Sequence, residues 1–99
     1  MQFATLVTLL FAAVATAKTH TYCRCNVNGD DDQALDQSAC GDWSSIFGNS
    51  GWDTGAKACA DHHKHGGIDG QPWENQCIST GTKAPYNYVA GTIRGNCWS

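Results

Sequence analysis

Six cysteines, Cys23, Cys25, Cys40, Cys59, Cys77 and Cys97, all follow an apolar, uncharged leader in a chain of 99 residues. An even count in that setting predicts three disulfides. A chain this short buries only a modest fraction of its surface, so its core alone is marginal. Each bridge restricts the unfolded chain and adds about 2–4 kcal/mol of stability. No C-x-x-C pair occurs, and thiolate ligands suit reducing compartments, so zinc is a poor rival for these sulfurs.

The leader, Met1–Ala17, reads MQFATLVTLLFAAVATA. Its apolar run, Leu6–Val14, is too short to span a bilayer, which needs about twenty residues. Ala15-Thr16-Ala17 supplies the small residues that a signal peptidase reads. Residues 1–17 therefore read as a signal peptide, and 18–99 as a single disulfide-rich domain. Secretion to the extracellular space, without a membrane span, follows from that reading. The net charge is −3, and the cations are scattered. This argues against nucleic acid as a partner, since phosphate binding needs a basic patch.

Thr19–Val27 (THTYCRCNV) has strand composition. Cys23 and Cys25 leave one face of that strand, and Tyr22 and Arg24 leave the other. Asn26–Asp32 is a polar turn leading into a helix. Its oxygens lack the glycine position and closing Glu of a calcium loop. Asp36–Phe47 reads as a helix, capped by Asp36, with Ala39, Cys40, Trp43, Ile46 and Phe47 on one stripe. Asp53–His65 reads as a second helix, capped by Asp53 and stopped by Gly66-Gly67. Trp73–Thr80 and Tyr86–Arg94 read as strands. The expected fold is α+β: a small antiparallel sheet with two helices packed on one face, in the order β-α-α-β-β. Cys23 and Cys25 would then face the helices and pair with Cys40 and Cys59, leaving Cys77 for Cys97.

Three sets of side chains are candidates for function. His62 and His65, three apart on the expected helix, share a side and are weak candidates for a metal. His63 lies off that side, so the histidines do not converge, and no metal or cofactor is expected. His63, Glu74 and Arg94 contain the residue types of an acid/base site, without a supporting motif. Trp73, Tyr86, Tyr88 and Trp98 lie near turns or chain ends and are candidates for an exposed aromatic binding surface. The six cysteines are assigned to structure.

The alanine-rich leader, the Y-C-R-C-N opening at Tyr22–Asn26 and the spaced cysteines resemble the small secreted cysteine-rich proteins of filamentous fungi. Many of those are candidate effectors of plant-associated species, and some have a killer-toxin-like α/β sandwich. The adjacent Cys-Cys pair of many such effectors is absent here. The secretion signal, the three expected bridges and the lack of a convincing active site point to a monomeric, non-catalytic interaction protein acting on an extracellular protein or glycan target. A toxin against other microbes and a small ribonuclease-like hydrolase are the rival expectations.

Overall fold

The computed structural model describes residues 19–63 and 66–99. The expected signal peptide, Lys64 and His65 lie outside the described residues. The elements in chain order are β1 (Thr19–His20), β2 (Tyr22–Val27), β3 (Asp30–Asp31) and α1 (Gln33–Ile46). They continue with β4 (Gly51–Asp53), β5 (Ala58–Ala60), β6 (Ile68–Asp69), α2 (Gly70–Gly81), a 3-10 turn (Ala90–Thr92) and β7 (Ile93–Trp98). The fold is α+β, with antiparallel sheets, two helices and three disulfides. No helix among the described residues is long and apolar enough to cross a membrane.

The main sheet is built around β2. β7 pairs with its whole length, from Tyr22↔Trp98 to Val27↔Ile93. On its other edge β5 pairs at Tyr22 and Cys23, and β3 pairs at Asn26 and Val27. β4 lies outside β5. β1 and β6 form a separate two-stranded ladder. Gly67, at φ +118°, leads into β6. A Cβ there would stand 2.8 Å from that of Thr19, so the close crossing needs glycine.

The first helix lies close to its expected place but starts earlier. Asp32, not Asp36, is the cap, accepting from the Leu35 amide at 3.0 Å. Leu35, Asp36, Ala39, Cys40 and Trp43 are its buried residues. Ile46 and Phe47, expected on the stripe, are 67% and 45% exposed because the helix ends there, past the core.

The second helix is α2, and this corrects the expected order. Asp69 caps it and Pro72 sits in its first turn, where a missing N–H costs nothing. Trp73, Cys77, Thr80 and Gly81 follow at helical spacing and are its buried residues. Residues 53–65, expected as helix, instead begin with a hairpin. Asp53 Oδ1 accepts from the amides of Gly55 and Ala56, at 2.9 and 3.0 Å. These are the bonds that a helix cap would make, but Lys57 at φ +54° then reverses the chain into β5. Tyr86–Arg94 is not a strand. It runs as a loop and a 3-10 turn, and the strand begins at Ile93.

The bridges are Cys23–Cys97, Cys25–Cys77 and Cys40–Cys59. The expected pairing of Cys23 and Cys25 with Cys40 and Cys59 is thereby corrected. Cys97 lies directly across from Cys23 in the β2–β7 ladder, and Cys77 comes to Cys25 because its segment is helical. The core joins five of these cysteines to Leu35, Ala39, Trp43, Ile68, Trp73 and Ile93, with Cys97 packed against it. Trp43 and Trp73 meet edge to face at 5.6 Å, joining the two helices.

Candidate binding surface

Strand alternation decides which side chains leave the sheet away from the helices. On β2 the buried Cys23 and Cys25 define the inner face, so Tyr22, Arg24 and Asn26 stand on the outer one. On β7 the inner residues are Ile93, Gly95 and Cys97, so Arg94, Asn96 and Trp98 stand outside. The register makes three cross-strand pairs: Tyr22↔Trp98, Arg24↔Asn96 and Asn26↔Arg94. None of these six side chains is buried.

The first pair is aromatic, with ring centroids 5.7 Å apart and planes tilted by 30°. The Arg24 guanidinium lies 5.0 Å from the centre of the Trp98 ring, in cation–π geometry. Its Nε donates to the Lys57 carbonyl at 3.0 Å and its Nη2 to the Ala56 carbonyl at 2.6 Å. Arg94 Nη1 donates to the carbonyls of Ile93 and Gly91, at 2.9 and 3.2 Å. Main-chain oxygens thus aim both guanidinium groups. Among the described residues, neither has a carboxylate within ion-pair distance.

His62 continues the aromatic row. Its ring meets Tyr22 edge to face at 5.4 Å, and its Nε2 lies 3.3 Å from Asp53 Oδ2. The Ala56 amide first, and then the His62 ring, hold the Asp53 carboxyl below the usual carboxylate range. Beyond His62 opens a polar cleft of about 220 Å³ whose walls include His20, His63, Asp61 and Thr21. His62 and His63 lie in irregular chain after β5, not in the expected helix, and His65 lies outside the described residues. Among the described residues, no group of three or more His, Cys, Asp or Glu is arranged to hold a metal ion.

Comparison with protein-family models, curated proteins and solved structures finds no match.

The four aromatics expected to share a surface are dispersed, which corrects that grouping. Trp73 is fully buried, and its Nε1 donates to the Arg24 carbonyl at 2.8 Å. Tyr86 and Tyr88 stack on each other at 5.9 Å. The Tyr86 hydroxyl donates to the Ala34 carbonyl at 3.0 Å and meets Ser38 Oγ, and the Tyr88 hydroxyl donates to Asp32 Oδ2. That pair straps the loop before β7 onto the start of α1. Asp32 raises the Tyr88 pKa by accepting its proton in a hydrogen bond. Only Trp98 stands on the outer sheet face.

Glu74, His63 and Arg94 are likewise not assembled. Glu74 lies on α2, under the sheet, where its Oε2 accepts from the Gly95 amide at 3.0 Å. Arg94 leaves the opposite face of β7, and His63 lines the polar cleft.

Sequence reasoning missed Tyr22, Arg24, Asn26 and Asn96 as a group. The alternation in Tyr22–Val27 carried half of the signal. The other half needed the long-range pairing with β7. A separate apolar cleft of about 300 Å³ lies between the end of α1 and α2, lined by Trp43, Ile46, Phe47 and Pro72 among others.

Proposed function

We propose that this chain is a secreted, monomeric, non-catalytic binding protein that engages its target through the outer face of the β2–β7 sheet. The signal-like leader and the resemblance to fungal secreted cysteine-rich proteins support the compartment. They also support an effector-like role on a host or competitor target. Three disulfides suit an oxidising space and resist unfolding there. The single observation that carries the binding role is the open face itself. An aromatic pair, two asparagines and two guanidinium groups stand there in register, with the helices packed on the other side. Exposed aromatic and Arg side chains on rigid strands are favoured recognition elements.

The test is retention. Immobilised, fully oxidised protein is exposed to host and competitor extracellular extracts, beside reduced protein and a Trp98→Ala/Arg94→Gln double variant. Wild type should retain a target that both controls lose. A target retained equally by the double variant would move the role away from this face. Retention of nothing, together with no response to infiltrated protein in leaf tissue, would end the proposal.

A further inference from the structure

We infer that the outer sheet face binds an acidic oligosaccharide, with Tyr22 and Trp98 against a sugar ring and Arg24 and Arg94 on its carboxylates. The inference rests on the reading of that face as the recognition surface and adds the ligand's chemistry.

Charge supplies the first reason. The chain carries nine acids against six Lys and Arg, for a net −3. Yet Arg24 and Arg94 stand on one open face without a carboxylate partner among the described residues. Neutral carbonyls orient them without cancelling their charge, and each keeps further N–H groups. A planar guanidinium fork matches a carboxylate in two-point geometry. Asp53, the acid at the far side of the face, is already engaged by two amides and His62. Asp31, across from Asn26 on β3, neighbours the Asp36 carboxyl.

Shape supplies the second. Same-face positions along a strand repeat about every 7 Å, so the three pairs cover about 13–14 Å, the length of a short oligosaccharide. Aromatic faces take the C–H faces of sugar rings, and the amides of Asn26 and Asn96 supply donors and acceptors for hydroxyls.

The number of charges separates this ligand from RNA. A nucleic acid brings a phosphate with every nucleotide and selects a strongly basic groove. Two guanidinium groups on an acidic protein fit a ligand of sparser charge.

The experiment titrates full-length oxidised protein at low salt with hexagalacturonate, neutral maltohexaose and hexauridylate, reading heat and tryptophan fluorescence. Hexagalacturonate should bind, and maltohexaose and hexauridylate should bind at least about tenfold more weakly. Arg94→Gln should weaken binding by about tenfold, the size expected for one charged hydrogen-bonding group. Trp98→Phe should abolish most of the fluorescence change. Lys83→Gln, which removes an exposed cation far along the chain, should leave affinity unchanged. Near-ultraviolet dichroism and intact bridges confirm that each variant is folded.

Equal binding of maltohexaose, tighter binding of hexauridylate, or an equal loss in Lys83→Gln would each overturn the inference. So would the absence of binding by folded wild type. If the extracts still yield a target that the face variant loses, only the ligand class has failed. If they yield none, the parent reading has failed with it.

Discussion

The Cys25 amide in β2 donates its hydrogen bond to Asp36 Oδ1 in α1. The bond falls on the edge of β2 opposite β7, in the gap between its pairings with β5 and β3. Asp36 is fully buried, and its Oδ2 has no hydrogen-bond partner. Burial foremost, and then the neighbouring Asp31 carboxyl, push its pKa up to about 8 from 3.8. The folded protein therefore holds a proton that the unfolded chain releases above about pH 4. Its contribution to stability is complete below pH 4 and is lost as the pH rises to about 8. Chemical unfolding from pH 4 to 9 should show stability falling across that window. Asp36→Asn keeps an acceptor for Cys25 without an ionisable proton, so its curve should be flatter. A wild-type curve that rises from pH 5 to 8 would contradict the assignment.

The bridge pattern is open to a direct chemical test, because Arg24 separates Cys23 from Cys25. Tryptic cleavage after Arg24 places the two sulfurs in different peptides. Non-reducing digestion should release Thr19–Arg24 joined to Gly95–Ser99 through Cys23–Cys97. Cys25–Lys57 should be joined to two other peptides, through Cys77 and through Cys59. Mass spectrometry that finds Cys77 joined to Cys97 would restore the pairing expected from sequence and refute the one in the structure.

How far the sequence was legible follows from which signals were local. The α1 stripe of Ala39, Cys40 and Trp43 was plain, because a helical period needs no distant partner. Asp53 misled because a turn and a helix cap use the same side-chain-to-amide bonds, and the outcome was decided later, at Lys57. In α2, Trp73 and Cys77 at four-residue spacing behind Asp69 and Pro72 were a helix signal, outweighed by strand-like composition. The outer face was half visible. Its β2 side alternates in the sequence, but Arg94, Asn96 and Trp98 join it only through a register linking distant parts of the chain.

Close approach of α2 to β7 makes a second stability test. A Cβ on Gly95 would stand 3.0 Å from the Glu74 Cα and 3.1 Å from Trp73 Cδ1. The first of these is helix backbone, so the whole element must shift. A Cβ on Gly81 would meet the tip of Ile93 at 2.8 Å, a side chain that can turn away. Gly95→Ala should therefore cost about 1–3 kcal/mol, as overpacking does. Gly81→Ala should cost less, despite its shorter contact. Urea midpoints with equal slopes measure both. The reverse order would mean that α2 yields more readily than the Ile93 side chain.

Trp73 and Trp98 separate structure from recognition within one residue type. Trp73 is fully buried, touches Trp43 and donates to the Arg24 carbonyl. Trp73→Phe leaves that carbonyl without its indole donor and shrinks the core, so it should cost about 2–4 kcal/mol. Trp98 lies half-buried on the outer face, against Tyr22 and Arg24. Trp98→Phe should stay within about 1 kcal/mol of wild type, because its neighbours already face solvent. Retention of the extracellular target should show the opposite ranking, intact in folded Trp73→Phe and weakened in Trp98→Phe. A Trp98 variant that unfolds the domain while keeping the target would place this ring with the scaffold rather than the surface.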